Sequence, residues 1–223
     1  MFIINFKNYS EISGSRAAKL AKIAEKISKK YRIKIAIVPP QHNLSEIVKY
    51  NIPVLAQHID TADVGSTTGF VVPEIIKKSG VKGSLINHSE HRISEKDIVN
   101  LITRLKKLGM ISVVCVKSVN EAAKYARHNP NYIAIEPPEL IGTGKAVSKE
   151  KPEVITRSVL AVKKAKNSTK LLCGAGIVSG DDVARAMQLG ANGILVASGI
   201  IKSKNWSHII EEFAKAILKN QKR

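Results

Sequence analysis

The sequence predicts an α/β protein: a closed (β/α)8 barrel of eight parallel strands ringed by helices, with residues 1–223 forming one domain. Three observations carry this reading. Eight short apolar runs recur, each followed by a segment of helical periodicity. The 223 residues are enough to bury one large core. Polar residues suited to chemistry fall at the ends of runs one, four and six. A closed barrel gathers such ends on one face, whereas an open doubly wound sheet uses a single switch point.

The first run, 2–7, leads to a helix at 15–31, where Ala17, Leu20, Ile23, Ala24 and Ile27 share one face and lysines surround the other. Run 33–38 precedes a helical pattern at 43–50, and run 53–58 precedes one at 72–80. Run 83–87 ends at His88 and is followed by a helix at 95–108. Run 111–116 leads to 118–128. Run 131–136 stops at Pro137 and Pro138, which fix φ and withhold backbone donors, and its helix spans 150–166. Runs 170–174 and 193–197 pass into glycine-containing turns and then helices at 180–189 and 205–219. Most runs are four to six residues long and open near Gly, Pro or a basic residue, as buried parallel strands do. No linker, low-complexity stretch or second domain interrupts the series.

Composition narrows the class. Hydrophobic residues make up 44% and charged residues 24%, the balance of a soluble globular protein. No apolar run approaches the ~18–20 residues that span a bilayer. The amino-terminal run lacks the charged start and cleavage site of a secretory signal. The expectation is a cytoplasmic protein without a membrane partner. The net charge of +18 is large, yet residues 1–111 and 112–223 hold equal shares, 18 basic and 9 acidic residues each. With no basic tail, and with Lys19, Lys22, Lys26, Lys29 and Lys30 on a helix face, the charge reads as solvated surface. No nucleic-acid partner is expected, though the surplus attracts anionic substrates in a salt-dependent way. Cys115 and Cys173 form neither a disulfide framework nor a metal-ligand pattern and read as buried structural thiols.

The most informative stretch is Asn131-Tyr132-Ile133-Ala134-Ile135-Glu136-Pro137-Pro138-Glu139-Leu140-Ile141-Gly142-Thr143-Gly144. It delivers Glu136 to a strand end beside a loop, 137–146, punctuated by glycines. A carboxylate beside a lid-like loop is the layout of a general base covered during turnover. Two further segments end in polar residues, Ile3-Ile4-Asn5-Phe6-Lys7-Asn8 and Gly83-Ser84-Leu85-Ile86-Asn87-His88-Ser89-Glu90-His91-Arg92. In order, N-F-K, N-H-S-E-H-R and I-E-P-P-E-L-I-G-T-G match the three signatures of one family. The chain resembles the triosephosphate isomerase family, most closely its short archaeal form, over essentially its whole length.

That resemblance implies the TIM barrel fold and the interconversion of dihydroxyacetone phosphate and D-glyceraldehyde 3-phosphate in glycolysis and gluconeogenesis, with no cofactor and no metal. It implies Glu136 as base and Lys7 as fixed positive charge. His88 becomes a neutral imidazole electrophile, a form of tuning for which this family is the standard example. Asn5 lies two residues before Lys7 and so faces the same side. Ile141 covers the carboxylate when the lid closes, and Gly144 brings amides to the phosphate. The turns after runs seven and eight supply Gly174, Gly176, Ala197 and Ser198 to the same phosphate. Ser89 and Glu90 support His88 and Lys7.

Departures are few: Phe6 replaces the usual Trp, Ala175 stands where many members have Ser, and Ala197-Ser198 replaces Gly-Gly. The resemblance also implies a homo-oligomer, at least a dimer and, as in archaeal members, a tetramer. The long polar loop 59–70, with Gly65, Ser66, Thr67, Thr68 and Gly69, reaches the neighbour's site. Two alternatives are another barrel enzyme acting on a phosphorylated metabolite and a non-catalytic polyanion-binding protein. The Lys–His–Glu set disfavours the first. An aromatic content of 4% disfavours the second.

Overall fold

Where the apolar runs predict strands, the computed structural model, which describes residues 1–165 and 168–221, contains eight parallel strands. These are β1 (Phe2–Asn5), β2 (Ile35–Val38), β3 (Leu55–Ala56), β4 (Gly83–Ile86), β5 (Ile111–Val116), β6 (Tyr132–Ile135), β7 (Lys170–Cys173) and β8 (Ile194–Val196). Their order around the sheet is β2-β1-β8-β7-β6-β5-β4-β3. One isolated bridge, Ile37 to Val54, brings the two ends together, with the Ile37 N–H donating to Pro53 O at 2.9 Å. The result is a nearly closed barrel.

Both faces of the strands are buried, which is why they read as continuous apolar runs. Ile3, Ala36, Leu85, Val113, Ala134 and Leu172 fill the interior, while Ile4, Ile35, Ile37, Val114, Ile133 and Leu171 pack outward under the helices. β3 is shorter than the 53–58 expected. The ladder to β4 comprises Leu55 to Gly83 and Ala56 to Ser84, and beyond it Gln57 turns to the Lys7 carbonyl and His58 O accepts from Gln41. Lys7, expected at the end of the first strand, leaves it, with φ 48°.

The helices are α1 (Arg16–Tyr31), α2 (Leu44–Ile47), α3 (Pro73–Lys78), α4 (Glu95–Lys107), α5 (Val119–Ala126), α6 (Val147–Glu150), α7 (Pro152–Lys164), α8 (Gly180–Gln188), α9 (Ser198–Ile201) and α10 (Trp206–Gln221). Ser94, Ser118 and Ser179 cap α4, α5 and α8 by accepting backbone N–H groups, and Asp182 completes a capping box with Ser179. The helix expected over 150–166 is α7, and a single unexpected turn, α6, precedes it. Pro152 disfavours the helical conformation for Lys151, whose φ of −141° and ψ of 58° separate α6 from α7. Lys166, the last residue of that expected helix, lies outside the described residues. The segment expected at 43–50 is a 3-10 turn, Gln41–Asn43, followed by the single turn α2. α9 was not anticipated. Because all strands are parallel, their C-terminal ends share one end of the barrel, and Asn5, Lys7, His88, Glu136 and the turns after β7 and β8 lie there.

Candidate functional site

The strand ends are fixed by hydrogen bonds that follow from the residues at each turn. Asn5 closes β1 and is buried; its Oδ1 accepts the Lys7 N–H at 2.9 Å. Gln57, just after β3, donates from Nε2 to the Lys7 carbonyl at 2.9 Å. These bonds offset the cost of a left-handed backbone at a residue with a long side chain. Lys7 Nζ then reaches Glu90 Oε1 at 2.6 Å.

At the end of β4, Asn87 is also left-handed, with φ 60°, a conformation its side chain tolerates. Asn87 Nδ2 donates to Cys115 O at 3.1 Å, and its Oδ1 accepts the Ile93 N–H at 3.2 Å. Arg92 Nη1 donates to Asn87 O at 2.8 Å and to Cys115 O at 3.2 Å. β4 is thereby tied to β5, and the buried His88 ring points over the barrel mouth. His88 Nδ1 accepts the Glu90 N–H at 3.3 Å, and Nε2 lies 3.8 Å from Glu136 Oε2.

Glu136 is 7% exposed, and its Oε2 has no hydrogen-bond partner among the described residues. Its backbone N–H donates to Val116 O at 2.9 Å. Gly174 lies against the carboxylate side chain: a Cβ there would come 2.6 Å from Glu136 Cγ. Two thiols share this region. Burial, and then the charge and hydrogen bond of Glu136, push Cys115 well up; burial and then Glu136 do the same to Cys173. Both stay protonated at neutral pH, as structural thiols do.

Loop 137–146 begins with a 3-10 turn, Pro138–Leu140, anchored by the buried Leu140. Thr143 Oγ1 donates to Leu140 O at 2.9 Å and accepts the Lys145 N–H at 3.1 Å. The far end rests on the turn after β7, where Gly176 has φ 70° and a Cβ would come 1.8 Å from Lys145 O. Only glycine fits that approach.

These pieces enclose a cavity of about 30 Å³. Asn5, Lys7, His88, Glu136, Ile141 and Gly176 line it, with Ala197 and Ser198 from the turn after β8. Gly144 and Gly174 do not: the first lies on the exposed part of loop 137–146 and the second lies against Glu136. Ser89 Oγ is buried with no hydrogen-bond partner among the described residues. Gly142, Ala175, Ile177 and Gly199 also line the cavity, and of these Gly142 stood in the Ile-Gly-Thr-Gly signature. Gln57 carried none, since its role depends on the Lys7 carbonyl brought to it by folding.

On the other side of Lys7 and Glu90 lies a larger cleft of about 600 Å³, lined by Tyr9, Gln41, Gln57, His58, Asp60 and His91 among others. The His58 and His91 rings stack at 3.8 Å, and His58 Nε2 lies 3.2 Å from Asp60 Oδ1. Burial lowers the His58 pKa, and the bond to Asp60 opposes it. Among the described residues no group of three or more His, Cys, Asp or Glu is placed to hold a metal ion.

Comparison with known proteins adds the remaining evidence. A family model described as triosephosphate isomerase matches residues 1–213. The chain is 54% identical over 217 residues to the triosephosphate isomerase of Cenarchaeum symbiosum, covering 97% of each chain. It is 48% identical over 218 residues to that of Methanocaldococcus jannaschii, covering 97% of this chain and 100% of the relative. For the Methanothermus fervidus enzyme the identity is 46% over 213 residues, covering 95% and 96%.

Proposed function

Because the chain belongs to the triosephosphate isomerase family and so interconverts dihydroxyacetone phosphate and D-glyceraldehyde 3-phosphate, we propose that Glu136, His88 and Lys7 divide the proton transfers among them. The observation that carries this division is the facing pair at the barrel mouth. An unpartnered, buried carboxylate oxygen of Glu136 lies 3.8 Å from His88 Nε2.

Glu136 takes a proton from C1 of dihydroxyacetone phosphate, leaving an enediolate, and returns it to C2 to form the aldehyde. Burial keeps bulk water off the carboxylate and leaves its Oε2 free to face the substrate. The Glu90 N–H aimed at His88 Nδ1 requires that nitrogen to be an acceptor, so the neutral ring carries its proton on Nε2. From there it donates to the C2 oxygen and recovers a proton from the O1 hydroxyl. Lys7 supplies fixed positive charge to the enediolate, with Glu90 holding its ammonium in place.

The turns after β7 and β8 hold the phosphate through Gly176, Ala197 and Ser198, and the amide of Gly144 joins them from the lid. Ile141 and Gly142 of the 137–146 loop line the small cavity beside Glu136, so an outward swing of that loop widens it for the substrate and its return brings Ile141 back over the site.

The same reading extends to assembly and location. The chain works as one domain in the cytoplasm and assembles as at least a dimer, with a tetramer as the full form. Loop 59–70 exposes Val64 and Phe70, each 56% accessible, and supports insertion beside a neighbouring copy's site. Among the described residues no helix is long and apolar enough to cross a membrane. A coupled assay with purified protein, without added metal or nucleotide effector, tests the activity: glyceraldehyde 3-phosphate should appear from dihydroxyacetone phosphate. Folded protein without turnover above background would refute it. Light scattering that found only a fully active monomer would refute the assembly.

A further inference from the structure

The end of the barrel opposite the active site carries a charge distribution that isomerisation does not use. In a parallel barrel each helix runs back toward the strand N-termini, so the helix C-termini gather there. α3 ends in Lys77 and Lys78, α4 in Lys106 and Lys107, and α7 in Lys163 and Lys164. The connections that follow helices at this end add Arg32, Lys34, Lys49, Lys82, Arg127 and Lys170. All these side chains are exposed, and among the described residues none joins an ion pair. Segments 28–34, 48–54, 75–82, 104–110, 123–131 and 185–193 contain no Asp or Glu. The nearest acids are already engaged: Glu25 accepts the Asn51 N–H, and Glu211 meets Tyr31, Lys30 and Lys215.

Lysines at helix C-termini offset the helix dipole, which is the plainest account of them. It falls short in magnitude. Each C-terminus carries about half a negative charge, so seven helices offset only about three or four positive charges. Nor does it account for Lys34, Lys82 and Lys170, which lead into strands. Lys170 and Lys34 lie close enough to the Met1 amine to help burial push it down to about 6. The even division of charge along the sequence argued against a polyanion partner, but folding sorts the same charges along the barrel axis.

We propose that this end of the barrel is a docking surface for the phosphate backbone of double-stranded nucleic acid, bound without reading its sequence. A dense array of flexible cations suits a duplex, which carries one negative charge per ~1.7 Å of axis. A single strand binds by base stacking on free aromatic rings. Here Tyr31, Tyr50 and Tyr132 are part-buried: Lys30 covers the first at 5.1 Å, Lys49 the second at 5.8 Å, and the third packs on the barrel interior. A membrane surface calls for apolar side chains to insert. Of the exposed large apolar side chains, Val64, Phe70, Leu160 and Val178 lie outside the segments that form this end, and Ile75 alone falls within one of them, too little apolar surface to insert. The catalytic end stays free, so a docked protein keeps its isomerase activity.

Fluorescence anisotropy of the full-length protein with a labelled ~20-bp duplex of arbitrary sequence, at about 50 and about 200 mM KCl, tests this. Wild type should bind with a Kd on the order of 10⁻⁶ M at the lower salt and weaken steeply at the higher. The Lys34→Glu, Lys82→Glu, Lys170→Glu triple variant should bind at least about tenfold more weakly, with a salt slope shallower by about two to three. A control triple, Lys19→Glu, Lys22→Glu and Lys26→Glu on the outer face of α1, changes the net charge equally and should bind like wild type. Both variants should keep isomerase activity, which shows them folded. Equal losses in the two triples would reduce the effect to diffuse charge and overturn the proposal. So would absence of binding by wild type, or tighter binding to a single strand or to phosphatidylserine vesicles than to the duplex.

Discussion

Glu136 is placed by what it lacks as well as by the strand that carries it: Gly174 leaves the space its side chain occupies. Substituting Gly174 with Ala would put a Cβ 2.6 Å from Glu136 Cγ, so the carboxylate must move. With Glu136 as the proposed base, a misplacement of about 1 Å costs on the order of 10²-fold in kcat, with substrate binding far less affected. Glu136→Asp, which withdraws the same carboxylate by one methylene, should show a comparable loss. Steady-state kinetics beside a thermal melt separate misplacement from unfolding. A folded Gly174→Ala enzyme with wild-type kcat would show that the carboxylate has room to adjust. Lys7→Met should slow catalysis and weaken binding together, because its charge acts in both ground and transition states; unchanged kcat/KM would remove Lys7 from the mechanism. The residues for these tests stood in the sequence as Asn-Phe-Lys, Asn-His-Ser-Glu and Ile-Glu-Pro. The contact between Gly174 and Glu136 did not, because a glycine in a phosphate-type turn and a glycine making room for a neighbour look alike in a sequence.

At the scale of elements, the apolar runs found every strand, since burial on both faces leaves a mark that needs no partner to be seen. Their lengths were less legible. β3 holds only two of the six residues expected, and the helix expected over 150–166 starts at Pro152, which sets Lys151 apart from it, with the extra turn α6 before. α10 and α1 show an element pairing that sequence could not reveal. Tyr31, then Lys30 and Lys215, hold the Glu211 carboxyl down to about 2. A folded-state value below the ordinary one means that the native protein binds fewer protons than the unfolded chain. The contribution is present in full above about 4.5 and fades as pH falls toward about 2. Glu211→Gln should therefore lower Tm at neutral pH, and the gap to wild type should close across that acid range. A gap independent of pH would assign the effect to packing. The lid is a second element with its own test. Removing residues 140–144 and rejoining the chain leaves Glu136 in place but exposes the enediolate. Isomerisation should fall steeply, with a larger fraction of turnover lost as methylglyoxal and inorganic phosphate. An unchanged ratio would make the segment a connector.

For the molecule as a whole, sequence position runs around the barrel axis while charge is sorted along it, so equal halves of a chain hide a polar end. Closure has a similar character. Eight βα units announce a ring, but nothing in them says how the last junction is made. Here the isolated Ile37 to Val54 bridge, supported by one bond at 2.9 Å, joins β2 to the chain entering β3. Between β2 and β3 the other way round, through β1, β8, β7, β6, β5 and β4, neighbouring strands are paired throughout. The ring is thus a hoop whose clasp is an isolated bridge, and the arc that carries the strands leading to Lys7, His88 and Glu136 is continuous, though its β7–β8 junction rests on the single pair Cys173 to Ile194. A hoop opened at the clasp keeps those three residues in register. Thermal breathing should therefore start where it does least harm to proton transfer. Hydrogen exchange should find the Ile37 amide less protected than those of Ile4 and Val114, at temperatures where turnover is undiminished. Equal protection at all three would mean that the barrel opens only as a whole.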